Sequence, residues 1–123
     1  MEGAYQATLD YVRERKVFGK PLAELQNTRF KLAEVATQIK VGRAFVDRCV
    51  EDLVAGKLDT ATASMAKLWA TDMEGKVLDE CLQLHGGYGF MWEFPISQAY
   101  VDARVTRIYG GTNEIMKEII SRT

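Results

Sequence analysis

A single histidine, two cysteines and two prolines among 123 residues set the first limits on what this chain can do. His85 alone cannot supply a multi-histidine metal site, and a serine triad would have to be built on it. A ferritin-like carboxylate bundle needs two Glu-x-x-His pairs facing inward; Glu80, five residues before His85, fails that test. Cys49 and Cys81 have no CxxC pairing and read as small core hydrophobes in a reducing compartment rather than as a disulfide frame. Neither charge sign is in excess: 16 basic against 17 acidic side chains leave −1, which argues against a dedicated nucleic-acid binder. No apolar run approaches the roughly 18 residues of a membrane span. The opening MEGAYQATLD lacks the basic-then-apolar form of a signal peptide, so a soluble, intracellular protein is the expectation.

What is present is the material of one globular domain. Apolar residues make up 47% and charged residues 27%, and a chain of this length buries about two-thirds of its unfolded surface. Between Pro21 and Gly56, Leu25, Leu32, Ile39, Val46 and Leu53 recur every seventh position, with Val35 and Cys49 in a second row. That spacing predicts a helix of about 33 residues, about 50 Å long. Gly42 interrupts it at a cost of about 1 kcal/mol. A second long helix is predicted from Asp59, as N-cap, to His85, where Gly86 and Gly87 can supply a left-handed turn. Its stripe is Trp69, Met73, Val77, Cys81 and Leu84. Shorter helical patterns carry Ile96, Tyr100 and Ala103 after Pro95, then Ile115 and Ile119 after Thr112. At the amino end Tyr5, Leu9 and Val12 form a helical face with nothing like a cap before them, which suggests a chain that starts inside an element, the alternative being a frayed first turn. The predicted fold is all-α: an antiparallel four-helix-type bundle of two long helices and shorter terminal ones, spanning residues 1–123 as one domain.

Three turns could carry chemistry. In Arg15-Lys16-Val17-Phe18-Gly19-Lys20-Pro21 the arginine can grip a phosphate and the aromatic can flank a ring. Alternatively, Arg15 and Lys16 complement a helix C-terminus while Phe18 plugs the bundle end. Gln83-Leu84-His85-Gly86-Gly87-Tyr88-Gly89-Phe90 lets a ligand approach the backbone, or simply caps a helix. It has neither the lysine of a Walker loop nor the preceding strand of a Rossmann turn. Tyr109-Gly110-Gly111-Thr112-Asn113-Glu114 is a glycine hinge before a helix start, with Thr112 as N-cap or as anion seat.

Together with Gln26, Asp102-Ala103-Arg104 and Ile115, these stretches, in this order and spacing, resemble the carboxy-terminal helical domain of acyl-CoA dehydrogenases, closest in wording to the long-chain type. The resemblance covers residues 3–122 and implies the last part of a three-domain flavoenzyme. Such enzymes remove a C2 proton from an acyl-CoA while the C3 hydride passes to FAD, giving a 2-enoyl-CoA in fatty acid β-oxidation. Electron-transfer flavoprotein then reoxidises the flavin.

By position, Arg15 resembles the arginine that reaches the FAD pyrophosphate of a neighbouring subunit, and Phe18 the aromatic beside it. Gln26 and Gln83 resemble the glutamines at the adenine end, Gly86 and Gly87 the close-approach turn, and Thr112 and Glu114 the residues at the FAD phosphates and ribose. Tyr109 and Gly110 fall on the substrate side. Where many members carry a glutamate base after the tyrosine, this chain has Gly110. The long-chain and isovaleryl types place that base on the helix entering the domain, which here puts it upstream of Met1, so no catalytic residue is expected within the chain and no metal is called for. The resemblance further implies dimers or tetramers, and a bacterial cytoplasm or a mitochondrial matrix. All three turns are expected to meet around one dinucleotide once the rest of the polypeptide and a neighbour are present. The competing readings are a stand-alone helical association module and a relative that has lost the chemistry.

Overall fold

A computed structural model describes residues 1–123. Helix α1 (Glu2–Glu14) leads into a two-residue hairpin, β1 (Lys16–Val17) and β2 (Lys20–Pro21). The long helices α2 (Gln26–Val54) and α3 (Thr60–His85) follow, then the single turn α4 (Gly87–Phe90), α5 (Pro95–Arg104) and α6 (Asn113–Ser121). The all-α expectation holds; the hairpin is the one departure, too short for a period-two pattern to reveal.

Helix α3 is the axis on which the others pack. Lys31 reaches Glu80 at 2.8 Å while a Cβ on Gly42 would meet Trp69, so α2 runs antiparallel to α3. Glu2 pairs with Arg43 and Tyr11 bonds the His85 carbonyl, so α1 runs parallel to α3 and antiparallel to α2. Val35, Val77, Leu78, Cys81, Ile96 and Ala103 form the buried cluster between α2, α3 and α5.

Several expectations are corrected here. Helix α2 has 29 residues rather than about 33, because Leu22–Glu24 form a separate turn. Its buried seam is the second row, Thr28, Val35, Gly42 and Cys49, joined by Leu32. Leu25, Ile39 and Val46 lie half-buried on the flank, and Leu53 is 63% exposed beyond the seam's last member. The apolarity pattern undervalued this row because it includes a threonine and a glycine. Gly42 makes room for a side chain of α3 and is not a mere interruption: its Cβ would stand 2.6 Å from the Trp69 ring.

Of the α3 stripe, Val77 and Cys81 are buried, whereas Trp69, Met73 and Leu84 are half-buried. Tyr100 is largely exposed while Ile96 and Ala103 are buried. In α6 the inward face is set by Asn113 and Met116, which leaves Ile115 exposed and Ile119 half-buried. On α1, Val12 is buried, with Tyr5 and Leu9 half-buried beside it; Thr8 is buried too, its hydroxyl returned to the Ala4 carbonyl at 2.7 Å.

Asp59 caps α3 as expected, accepting the Thr62 N–H at 2.8 Å and the Thr62 hydroxyl at 2.6 Å. Those bonds to Thr62 hold its carboxyl below the ordinary range. A depressed folded-state pKa contributes stability above the unfolded value and loses it as pH falls through the folded one. The stability gap between wild type and Asp59→Ala should therefore be full at neutral pH and shrink as pH falls below the ordinary carboxylate range, as read by urea unfolding at each pH.

Candidate functional site

Helix α1 ends at Arg15, whose carbonyl accepts the Leu22 N–H at 2.7 Å and closes the hairpin beneath it. Between the strands, Phe18 and Gly19 both take positive φ, 51° and 81°, the pattern of a type I′ turn. A bulky aromatic is strained there. The ring is 96% exposed, so Phe18 does not plug the bundle end; it stands on the hairpin tip.

The C-terminus of α3 meets this hairpin. Gly86 adopts φ 59° and ψ −137°, a conformation open essentially to glycine. Gly87 has no left-handed φ and begins α4, so only one of the two glycines makes the turn. The Tyr11 ring stacks on His85 at 4.2 Å and its hydroxyl donates to the His85 carbonyl at 3.1 Å. The imidazole Nδ1 lies 2.8 Å from the Cys81 carbonyl, which makes it the protonated nitrogen.

Arg15, Gln83, His85, Gly86, Gly87 and Tyr88 together line a cavity of about 580 Å³. No carboxylate stands within ion-pair distance of Arg15. A Cβ on Gly86 or Gly87 would meet no atom of this chain. The cavity thus offers a free guanidinium, an exposed side-chain amide and open backbone at a helix end, which suits a phosphate-bearing ligand with a polar ring. Gln26, exposed at the start of α2, does not line it.

The third turn is elsewhere. Gly110 and Gly111 take φ 63° and 91°, and Thr112 caps α6 by accepting the Ile115 N–H at 3.3 Å. Lys67 donates to the Gly111 carbonyl at 2.6 Å and to Asn113 Oδ1 at 2.9 Å, while Asn113 Nδ2 donates to Asp72 at 2.9 Å and Thr71 at 3.0 Å. From Thr71 to His85 is about 21 Å along α3 at 1.5 Å per residue. The first two turns are therefore brought together and the third stands apart. Tyr109 and Gly110 line a cavity of about 400 Å³ with Met1, Lys67 and Glu74. Thr112 and Glu114 line a smaller one, about 180 Å³, with Arg104, Arg107 and Lys117. The residue's own backbone N–H and the Thr112 hydroxyl hold the Glu114 carboxyl below its ordinary range. Arg107 Nε is buried without a partner, its guanidinium lying over Gly75.

Sequence reasoning missed Tyr11, Tyr88, Lys67 and the bonding role of Asn113. Tyr11 was findable, four residues before Arg15 on one helix, and so was Lys67, a charge set among apolar residues of α3. Asn113 fastens the third turn to α3, so Asn113→Ala should cost about 1–2 kcal/mol by stranding its partners, measured by urea unfolding.

The sequence matches the family described as "Acyl-CoA dehydrogenase, C-terminal domain" over residues 1–123. It is 56% identical over 121 residues to the long-chain specific acyl-CoA dehydrogenase, mitochondrial, of Rattus norvegicus, covering 98% of this chain and 28% of the rat protein. It superposes on the acyl-CoA dehydrogenase of Geobacillus kaustophilus with TM-score 0.96 and 50% identity, over 98% of this chain and 32% of that one. For the butyryl-CoA dehydrogenase of Megasphaera elsdenii the values are 0.94 and 36%, again over 98% and 32%. The chain spans about a third or less of the length of these relatives. An end-to-end match in sequence and in helix packing leaves one assignment: this chain belongs to the acyl-CoA dehydrogenase family, as its C-terminal domain.

Proposed function

We propose that the chain is the carboxy-terminal part of a three-domain, FAD-dependent acyl-CoA dehydrogenase, and that it holds the dinucleotide half of FAD and joins subunits. The observation that carries this reading is the cavity in which a carboxylate-free Arg15 faces Gln83 and the Gly86-Gly87 turn. These residues fit the group. The guanidinium matches a dianionic pyrophosphate, Gln83 offers both a donor and an acceptor to a base edge, and the glycines leave open the space a side chain would fill. Phe18, exposed on the hairpin tip, and Gln26 flank the same end of the bundle.

The distance along α3 gives the reading its form. Arg15 and Gln83 serve the flavin of a neighbouring subunit, while Thr112 and Glu114 serve the phosphates and ribose of the subunit's own. Two sites shared in this way require a dimer or tetramer. Bound FAD supplies the hydride acceptor. The chain's own residues bind it, orient it and, through Tyr109 and Gly110, border the acyl-CoA. Met1 and Gly110 line one cavity, so a helix continuing α1 upstream passes the corner where glycine cannot act as a base, and that is where the glutamate base belongs. Electron-transfer flavoprotein is the oxidant of the reduced flavin. Such an enzyme works in β-oxidation, in a bacterial cytoplasm or a mitochondrial matrix.

The full-length protein should be yellow and should bleach on addition of a saturated long-chain acyl-CoA, with flavin released when subunits dissociate. A colourless, flavin-free product overturns the reading in favour of a helical association module.

A further inference from the structure

Arg15 stands at the mouth of the large cavity with no acid to hold it, yet it is not free to swing. Its guanidinium carbon lies 5.4 Å from the centroid of the Tyr88 ring, within the range of cation–π attraction. That ring is itself held. Tyr11 meets it edge-on at 6.5 Å and 73°, and Phe94 packs against it at 5.0 Å. Tyr11 in turn is stacked on His85 and bonded to its carbonyl. A chain of rings thus runs from the C-terminal turn of α3 to the one cation at the cavity mouth.

We propose that Tyr88 is a positioning residue for Arg15: its ring face pre-orients the guanidinium toward a nucleotide pyrophosphate without neutralising it. A carboxylate in the same place would orient the arginine equally well but would compete with the ligand's phosphates for its charge. An aromatic face has no net charge and surrenders the cation at little cost. Pre-orientation lowers the side-chain entropy lost on binding, which for a rotamer-rich residue is a substantial share of the cost of association. The proposal rests on the reading of this cavity as a flavin-dinucleotide site.

The test is a double-mutant cycle in the full-length protein, with FAD affinity measured by fluorescence titration of the apoprotein. Tyr88→Leu should weaken FAD binding by about two- to fivefold, the span of an exposed cation–π contact. Tyr88→Phe, which keeps the ring face, should bind as wild type. In an Arg15→Ala background Tyr88→Leu should change nothing further, because its effect runs through the guanidinium. Should Tyr88→Leu not fold, Tyr88→Met is carried through the same cycle. Wild-type affinity in Tyr88→Leu, with Arg15→Ala loosened, overturns this proposal alone. An equal loss with and without Arg15 overturns it by assigning Tyr88 a purely structural role in the turn. Undiminished affinity in Arg15→Ala overturns the reading of the cavity as well.

Discussion

Arg15→Ala in the full-length protein is expected to weaken FAD binding by about 2–5 kcal/mol, the usual loss when a charge-assisted pair in a desolvated site is truncated. The size follows from the surroundings. Arg15 has no carboxylate to release, so all of its charge is available to the ligand. No other lysine or arginine lines that cavity, so nothing compensates for its removal. Arg15→Lys should recover only part of the affinity, since an ammonium lacks the two-pronged geometry that matches a phosphate. Fluorescence titration of the apoprotein measures both; equal affinity for wild type and Arg15→Ala would remove Arg15 from the site.

Gly89→Ala is expected to be the most damaging small substitution for the fold. The added Cβ would stand 2.5 Å from the Leu82 carbonyl oxygen, 3.0 Å from Leu82 Cγ and 3.2 Å from His85 Cβ. Overpacking a tight site costs typically about 1–3 kcal/mol, and the obstacle here is backbone, which cannot rotate aside as a side chain can. Relief would require α4 to lift from the last turn of α3, taking Tyr88 with it. Thermal unfolding by circular dichroism should show the loss, and FAD affinity should fall with it. Gly3→Ala is the matched control: its Cβ would meet nothing, so it should leave stability unchanged or slightly raised.

How much of this was legible in the residues depends on what each signal measures. Helix ends were, because caps are local chemistry: Asp59 and Thr112 sit where their side chains can take up free N–H groups, and both do. The two long helices and their antiparallel packing followed from periodic apolar spacing. The register of the α2 seam did not, because burial there is decided by what the facing helix presents, and Gly42 leaves room for the Trp69 ring where a larger residue would not. Phe18 was misplaced in the bundle-plug alternative for a related reason, since composition alone cannot distinguish a ring held inward from one presented on a strained turn. The site residues with a distinctive order, Arg15 and the Gln83–Gly87 turn, could be read as one group and lie together. That the third turn lies about half the length of α3 away needed the helix directions, which no local pattern contains. Tyr88 stood in one of the three turns and Tyr11 on the right helix, but the ring contacts that give them their roles are between segments distant in sequence.

Because a single unbroken helix carries one candidate cluster at its end and anchors the other near its middle, their mutual bearing is a matter of counting. One residue inserted into α3 between Glu74 and Gln83 would turn the two clusters about 100° relative to each other and lengthen their separation by about 1.5 Å. Loops at either end can therefore drift in length without upsetting the arrangement, whereas the intervening turns of α3 can change letters but not number.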